Sequence, residues 1–127
     1  MEVKNKIGQK ELVEKLSDFK SDDKTYVHRI SDNWQFRLSQ GCFFVRESAN
    51  AYWLFDLMLS YQSSTTLKGV LFQEWSIRQV KNGYLQIICK DRSNDIRIAQ
   101  IVKKRKFPID DLTIYITNNH ALLKSEY

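Results

Sequence analysis

The sequence predicts an α+β fold in which N-terminal helices pack on one face of a four-stranded antiparallel meander. Three observations lead to this prediction. Apolar residues recur at helical spacing in the first half of the chain, β-branched segments dominate the second half, and an Asn-Gly pair at 82–83 marks a hairpin. Because the helices precede the strands instead of alternating with them, we expect antiparallel pairing and not βαβ crossovers.

The first predicted helix spans 9–20, "QKELVEKLSDFK". Leu12, Leu16 and Phe19 recur there at helical spacing, and acidic residues come early, as the helix dipole favours. A shorter helix is predicted in "CFFVRESA" (42–49), where periodicity alone leaves helix and strand open. The helix is favoured because the residues that follow read as a break and not as a hairpin turn.

The most emphatic apolar stretch, "NAYWLFDLMLSYQ", predicts an amphipathic core helix from about 51 to 62. Trp53 and Leu57 are expected to point into the core. The helix lies on the sheet through one broad apolar face, whose members are Trp53, Leu54, Leu57, Met58 and Tyr61.

The second half of the chain predicts four strands. The Asn82-Gly83 pair has the tolerance of positive φ that a type I′ hairpin needs, and a two-residue loop there places Ile77 opposite Ile88. A bulge is expected in 72–75, where the alternation of apolar and polar residues is imperfect. The predicted strands span 70–80, 84–90, 96–102 and 112–117.

The segment before residue 50 is the least determined. "TYVHRIS" (25–31) has the β-branched and aromatic content of a short strand. "SDNW" (31–34) is typical of a helix cap, and it predicts a turn of helix that includes Phe36 and Leu38. Helix and strand both stay open for 25–48 at this point.

The composition is that of one compact domain over residues 1–127, with 1–8 expected to be frayed. Hydrophobic residues make up 43% of the chain, which argues against wholesale disorder. Cys42 and Cys89 are expected to be buried free thiols, since two cysteines do not make a secreted disulfide framework. The polar start and the lack of a long apolar run predict a cytoplasmic protein without a signal peptide or a membrane span.

Lysine and arginine outnumber aspartate and glutamate, and the formal net charge is +5. Positive and negative residues interleave along most of the chain, and "KKRKFP" is the basic cluster. Lys103, Lys104, Arg105 and Lys106 are predicted to contact the phosphates of a nucleic acid, with Phe107 available to stack on a base. The alternative is a solvated connection whose charges protect an edge strand from pairing with another chain.

Most catalytic templates are missing from the sequence. It has no glycine-rich phosphate loop and no Gly-x-Ser-x-Gly elbow. The histidines and cysteines are scattered without the spacing of zinc ligands, so neither a metal site nor a cofactor is predicted. These scattered residues are His28, Cys42, Cys89 and His120.

A small nuclease or another hydrolase stays open as an alternative function. His28 or His120 is available as a general base. A metal-dependent enzyme would instead need converging carboxylates. Their spacing does not require convergence, and the candidates are Asp56, Glu74, Asp91 and Asp110.

Asp56 is expected to be a helix-edge carboxylate that pairs with Arg46 or Arg78, because an unpaired carboxylate among aromatic side chains is costly. The alternative is a site acid with a raised pKa. For the histidines, we expect His28 to be a partly buried, hydrogen-bonded strand residue and His120 to face the solvent.

The order of several short motifs resembles a family of small uncharacterised bacterial proteins with a single domain. The matching pieces are "AYWLFD", "YQ", "FQEW", "FPIDD" and the terminal "SEY", which cover roughly residues 38–127. The chain departs from the family pattern at Ser39-Gln40-Gly41, where the family carries Thr-Asp-Gly, and at Arg105-Lys106, where it carries Thr-Asp. The resemblance implies a shared α+β fold and brings no activity with it.

The function predicted from the sequence is a small non-enzymatic binding or regulatory module that contacts nucleic acid or a nucleoprotein through basic surface. A mobile or accessory genetic element is an expected source. The hydrolase is the second hypothesis, and a protein–protein adaptor that exposes aromatic surface is the third. The sequence specifies neither the partner nor the oligomeric state.

Overall fold

The computed structural model describes residues 9–20, 24–31, 34–81, 83–103 and 106–127. None of the helices within these ranges has the length and apolar character that a membrane crossing requires. In chain order the elements are α1 (Gln9–Leu16), β1 (Thr25–Ser31), β2 (Trp34–Ser39), α2 (Gln40–Ser48), α3 (Tyr52–Tyr61), β3 (Phe72–Lys81), β4 (Tyr84–Lys90), β5 (Ile96–Lys103), β6 (Asp111–Thr117), β7 (His120–Leu123) and a 3₁₀ turn (Lys124–Glu126).

The described strands form one mixed sheet of seven strands in the order β1-β2-β7-β6-β3-β4-β5. Neighbouring strands are antiparallel except β2 and β7, which run parallel and pair Arg37 with His120 and Leu38 with Ala121. The predicted four-stranded antiparallel meander is therefore wrong. The strands β3 to β6 exist, and β7, β2 and β1 extend the sheet beyond β6.

β2 replaces the predicted turn of helix around Phe36 and Leu38. Both side chains are buried and alternate with the exposed Gln35 and Arg37, which is the period of a strand with one face in the core. The helix cap lies later, because Ser39 Oγ accepts a hydrogen bond from the backbone N–H of Cys42 at 3.1 Å and begins α2. The predicted strand at β1 and the preferred helix at α2 are both confirmed.

β7 is a four-residue strand that the sequence prediction does not include. It follows a two-residue turn, Asn118-Asn119, in which both residues have positive φ, 52° and 60°. Thr117 and His120 pair across this turn. A type I′ hairpin requires two residues with positive φ, and asparagine tolerates that conformation better than most residues.

The predicted hairpin between β3 and β4 is confirmed. The two strands pair antiparallel on either side of a short turn. Gly83 in this turn has a φ of 84°, a left-handed conformation that glycine adopts without steric cost. Asn82, the other residue of the predicted turn, lies outside the described residues.

The register of this hairpin differs from the predicted one. Ile77 pairs with Ile87 and not with Ile88, because the pairing shifts at Val80, next to the turn. An extra residue on one strand changes which residues lie opposite each other from there onward. The irregularity is therefore at the turn end of β3 and not in 72–75, where the bulge is predicted.

The predicted core helix is confirmed as α3, but its buried face is rotated. Trp53 and Leu57 are only partly buried. Phe55 instead packs edge-on against Phe36 of β2, with 6.5 Å between the ring centroids, so a strand missing from the prediction draws this side of the helix inward. The fully buried side chains of α3 are Leu54, Phe55, Met58 and Leu59.

The core lies between α2, α3 and one side of the sheet. Tyr61 of α3 contacts Trp75 of β3, with 5.9 Å between the ring centroids. We call this side the covered face and define it by the buried inward-facing side chains of β3 to β6, which are Gln73, Trp75, Ile77, Leu85, Ile87, Cys89, Ile98, Leu112, Ile114 and Ile116.

α1 lies at the margin of this core. Leu12 is buried, and Phe19 beyond the helix contacts the Phe44 ring with 5.2 Å between centroids. The helix ends at Leu16, before the predicted end at residue 20. Residues 1–8, which the sequence predicts to be frayed, lie outside the described residues.

Both cysteines are buried and free, as predicted. Burial raises the pKa of the Cys89 thiol to about 12 and raises that of the Cys42 thiol as well. A thiol that stays protonated is a poor nucleophile and a poor metal ligand. Both side chains therefore act as small apolar residues of the core.

Candidate functional site

The predicted basic cluster lies only partly within the described residues. Lys103 ends β5 and is exposed, and Lys106 is exposed as well, whereas Lys104 and Arg105 lie outside the described residues. The amino group of Lys103 is 5.9 Å from the centre of the Tyr84 ring. The cluster thus begins on the edge strand of the sheet, beside an exposed aromatic ring.

Phe107 does not share that surface. Its side chain is 5% exposed and packs edge-on against Trp53, with 5.7 Å between the ring centroids. Its carbonyl oxygen accepts a hydrogen bond from Gln79 Nε2 at 2.8 Å, which ties this connection to β3. The expectation that Phe107 stacks on a base needs correction, because its ring fills the core beside α3.

A group of ionisable side chains meets where β1, α2 and α3 pack together. His28 of β1 is 3% exposed. Its Nε2 lies 2.7 Å from Asp56 Oδ1, and its Nδ1 lies 3.0 Å from Arg46 Nη1. Because arginine can only donate, Nδ1 accepts the hydrogen bond from Arg46, and Nε2 carries the proton that is donated to Asp56. The imidazole is neutral in this arrangement.

Both ring nitrogens of His28 are occupied, so neither is free to act as a general base. Burial lowers the pKa of His28, while the hydrogen bond and charge of Asp56 oppose that effect. His28 is a hydrogen-bonded strand residue as expected, but it is almost fully buried where only partial burial is predicted. The expected partner of Asp56 is wrong, because the carboxylate pairs with His28 and not with Arg46 or Arg78.

Arg46 is enclosed by the same group. Its guanidinium carbon lies 4.5 Å from the centre of the Tyr52 ring and 5.2 Å from that of Phe43. Its Nε donates to Glu47 Oε2 at 3.1 Å, and the Tyr52 hydroxyl donates to the same oxygen, which raises the pKa of Tyr52. The arginine and the carboxylates offset one another, so this network fixes α2 to α3 and β1.

A second buried group closes the N-terminus of α2. Glu126 is 3% exposed, and its carboxylate accepts hydrogen bonds from Ser39 Oγ, from the backbone N–H of Gly41 at 2.8 Å and from that of Leu123 at 2.9 Å. The helix dipole favours a negative charge at this end. A Cβ on Gly41 would lie 2.6 Å from Leu123 Cδ1 and 2.7 Å from Glu126 Oε1. The glycine is what lets the carboxylate approach.

A third polar group lies beneath α3. The side-chain amides of Gln62 and Gln73 bond to each other twice, at 2.9 and 2.8 Å. Gln73 Oε1 also accepts from Trp75 Nε1 at 2.9 Å, and Gln62 Nε2 donates to the carbonyl of Met58 at 3.0 Å. The motifs "YQ" and "FQEW" therefore meet in the core, where each satisfies the polar groups of the other.

His120 is half-buried beside Arg37. The prediction that its side chain faces the solvent is therefore wrong. Burial lowers its pKa, and the charge of Arg37 acts in the same direction. Among the described residues, no three histidine, cysteine, aspartate or glutamate side chains come together as metal ligands. The carboxylates that the sequence offers to a metal-dependent enzyme therefore do not form such a group.

The other side of the sheet is built differently from the covered face. The outward-facing side chains of β3 to β6 are all exposed or half-buried. We call this surface the open face, and its members are Phe72, Glu74, Ser76 and Arg78 of β3, Tyr84, Gln86, Ile88 and Lys90 of β4, Arg97, Ala99, Ile101 and Lys103 of β5, and Asp111, Thr113, Tyr115 and Thr117 of β6.

Charges in the middle of the open face compensate one another. Lys90 of β4 is the cross-strand partner of Glu74 in β3. The Nε of Arg78 lies 3.8 Å from Asp111 Oδ2, and both side chains are exposed. Exposed pairs of this kind contribute little to stability, but they leave the centre of the face close to neutral.

Each end of the open face has an aromatic ring with a cation next to it. At one end the guanidinium carbon of Arg92 lies 4.6 Å from the centre of the Phe72 ring, and at the other end Lys103 lies beside Tyr84. Neither cation forms an ion pair within the described ranges. Since the 10 residues of β3 connect the two ends, they are roughly 25 to 30 Å apart at about 3.3 Å per residue.

The Phe72 end carries further aromatic side chains. We call Phe72, Tyr115 and Tyr127 the aromatic cluster, in which the ring centroids lie 4.8 to 5.4 Å apart. Tyr127 is 59% exposed, and its hydroxyl lies 3.5 Å from Arg92 Nη2. The cluster therefore presents ring surface and a cation together at the solvent boundary.

Sequence reasoning missed this surface. The period of two in "FQEWSIR" places Phe72 and Arg78 on the side of β3 opposite to Trp75, and that signal is readable from the sequence. The approach of Arg92 and Tyr127 to Phe72 is not readable, because these residues come from a loop and from the end of the described chain.

Two of the three comparisons with known proteins found no relative. No curated protein and no solved structure matches the chain. The remaining comparison matches a family of unknown function, DUF6876, over residues 10–127. This match agrees with the resemblance to a small single-domain family in the sequence motifs. The chain belongs to the DUF6876 family, a family of unknown function.

Proposed function

We propose that the protein is a non-enzymatic module that binds single-stranded nucleic acid along the open face. The observation that carries this proposal is the pair of ring–cation contacts at opposite ends of the face, Arg92 with Phe72 and Lys103 with Tyr84. An aromatic ring stacks on a nucleobase, and a cation beside it attracts the neighbouring phosphate. Rings and cations in alternation along a groove or sheet suit a polymer that alternates bases and phosphates.

A single strand suits the open face better than a duplex does. In a duplex the bases stack on one another, so their flat faces are not available to a protein ring, whereas an unpaired strand can turn its bases toward the sheet. A distance of roughly 25 to 30 Å between the two ring–cation contacts is compatible with single-stranded sites of about 4 to 16 nucleotides.

The basic cluster extends this proposed surface past Tyr84. Lys103 belongs to the open face, and Lys106 is exposed three residues later. We include Lys104 and Arg105 on the strength of the sequence, and we leave Phe107 out because it is buried. The charge of the cluster complements phosphate, and the net charge of +5 has the sign that favours association with a polyanion.

The hydrolase hypothesis has less support. A general base needs a ring nitrogen within reach of a substrate proton, and the two nitrogens of His28 bind Asp56 and Arg46. That network would have to open before His28 could act on a substrate. The open face needs no such rearrangement to bind a strand.

The test measures the affinity of labelled single strands of about 15 nucleotides, and of the matching duplex, at several salt concentrations. The variant changes Lys103, Lys104, Arg105 and Lys106 to Gln. Wild type is expected to prefer the single strand. The variant should lower the slope of log affinity against log salt by roughly two to three, because each phosphate contact on a single strand contributes about 0.7 to that slope.

The matched control removes four exposed cations outside the open face, by changing Lys15, Lys20, Lys68 and Lys124 to Gln. Both variants have the same net charge, so an equal loss in both would indicate attraction by total charge alone. The absence of binding by wild type even at low salt would contradict the proposal. The adaptor hypothesis would then come first.

A further inference from the structure

The loops at the Phe72 end of the open face line an open, shallow cavity of about 310 Å³. One wall is the segment that leads into β3, and the other is the loop between β4 and β5. This volume is at the lower end of small-ligand pockets, which measure about 300 to 1,000 Å³. The side chains and backbone that define it include Gly69, Phe72, Asp91, Arg92, Ser93 and Arg97.

The carboxylate of Asp91 accepts hydrogen bonds from within the β4–β5 loop and from the start of β5. Its Oδ1 accepts the backbone N–H of Ser93 at 2.9 Å and that of Asp95 at 3.1 Å, and its Oδ2 accepts Arg97 Nε at 2.8 Å. The hydrogen bond from Arg97 is the main reason that the pKa of Asp91 is lowered. The negative charge is thus offset locally, and it does not pair with Arg92.

The guanidinium of Arg92 is placed as a stacking surface. Its carbon lies 4.6 Å from the centre of the Phe72 ring, and the Arg92 side chain is exposed. A guanidinium is planar, and it stacks on flat rings through either face. When one face is on Phe72, the other is available to a second ring. The Tyr127 hydroxyl lies 3.5 Å from Arg92 Nη2 and bounds one edge of the space in which a second ring could stack.

We infer that this cavity is a nucleotide subsite, in which one base of the bound strand stacks on Arg92 while Arg92 remains stacked on Phe72. The inference rests on the proposed function for its ligand, and it adds the position at which a base is held. Charge alone would make Arg92 replaceable by lysine. Stacking makes the planar group necessary, because lysine keeps the charge and has no flat face.

The experiment compares Arg92→Lys and Arg92→Ala with the matched pair Arg37→Lys and Arg37→Ala. Arg37 is an exposed arginine of β2, outside the cavity. We expect Arg92→Lys to weaken binding of a single strand by about tenfold with an unchanged salt slope, since it loses a stacked base but no charge. Arg92→Ala should lose at least as much and lower the slope by about 0.7. Arg37→Lys should bind like wild type.

Two outcomes separate the subsite from the proposed function. If Arg92→Lys binds the strand like wild type while Arg92→Ala does not, Arg92 acts only through its charge. The subsite is then overturned, and the proposed function stands. If wild type binds no strand, the proposed function fails, and the subsite is tested alone with adenosine monophosphate and with inorganic phosphate.

In that case the readout is the Arg92 Nε–H signal in nuclear magnetic resonance spectra. A shift with adenosine monophosphate, absent with inorganic phosphate, supports a subsite that holds a base. Equal shifts with both probes, or no shift at millimolar concentration, overturn it.

Discussion

The covered face and the open face of the same sheet use polar side chains in opposite ways. On the covered side, polar groups are bonded to one another, as in the amide pair of Gln62 and Gln73 or the carboxylate of Glu126 at the start of α2. On the open side, rings and cations lie at the solvent boundary, with Arg92 and Lys103 at opposite ends.

This difference separates residues that build the fold from residues that remain available to a partner. A buried polar group that loses its partner costs about 1 to 3 kcal/mol, so the bonded groups of the covered side are explained by folding alone. Exposed cations such as Arg92 and Lys103 contribute little to stability. The motifs "YQ" and "FQEW" meet on the covered side through Gln62, Gln73 and Trp75, and these three residues therefore report the fold more than the function.

The largest effect is expected from the same substitution made on each face. Ile77 on the covered face is fully buried, whereas Ile101 on the open face is 54% exposed. Ile77→Ala should lower the free energy of unfolding by about 3 to 4 kcal/mol, because it leaves a cavity in the core. Ile101→Ala should change it by less than about 0.5 kcal/mol. Urea denaturation measures both values, and similar losses would mean that the open face is covered in solution.

A smaller effect is expected at Gly41, whose backbone N–H donates to the buried carboxylate of Glu126. Gly41→Ala should cost about 2 to 3 kcal/mol, because the new Cβ overlaps Leu123 and Glu126. The control is Gly69→Ala, which introduces a Cβ into open space at a φ of 80°. That change should cost about 1 kcal/mol from backbone conformation alone. If urea midpoints show that Gly41→Ala is the milder change, Glu126 does not cap α2 as described.

The smallest effect is expected at Asp56, whose side chain is 54% exposed and accepts a hydrogen bond from the buried His28 ring. Asp56→Asn keeps an acceptor for Nε2 and removes the charge, so it should cost only about 0.5 kcal/mol at neutral pH. The pKa of His28 should fall further, because the Asp56 contacts raise it. Titration of the imidazole signals in nuclear magnetic resonance spectra measures this change, and His120 serves as the internal control.

The pH dependence of stability has a definite sign for the same histidine. The folded-state pKa of His28 lies below its ordinary value of 6.5, so the unfolded chain binds more protons between these two values. The free energy of unfolding should therefore decrease as the pH falls below about 6.5, and this contribution should level off below the folded-state pKa. A stability that rises on acidification through this window would contradict the described tautomer.

Local patterns in the sequence predict much of the fold. The helices α2 and α3 and the strands β1 and β3 to β6 follow from periodicity and turn residues. β7 is too short to show a period, although the Asn118-Asn119 pair before it is a readable turn signal. The parallel pairing of Arg37 with His120 is beyond such reasoning, because it depends on contacts between distant parts of the chain.

The candidate site is predictable to a smaller degree. The basic run from Lys103 to Lys106 can be recognised in the sequence, since its members are consecutive residues. The contact of Arg92 with Phe72 joins the β4–β5 loop to the start of β3, so only folding reveals it. Phe107 shows the opposite error, because a ring next to lysines in sequence lies in the core.

The position of β7 between β2 and β6 also sets the order in which the molecule can be completed during synthesis. The β1–β2 hairpin emerges early from the ribosome, but its only neighbour in the described sheet is β7, which is made last. The capping carboxylate of Glu126 is made later than β7, so α2 is without this cap until Glu126 has been added. We therefore expect the N-terminal half to stay incompletely folded until β7 has been made. Apolar side chains such as Phe36 and Phe55 would be exposed to solvent in that interval. The hydrophobic surface exposed in that interval makes truncated chains prone to aggregation.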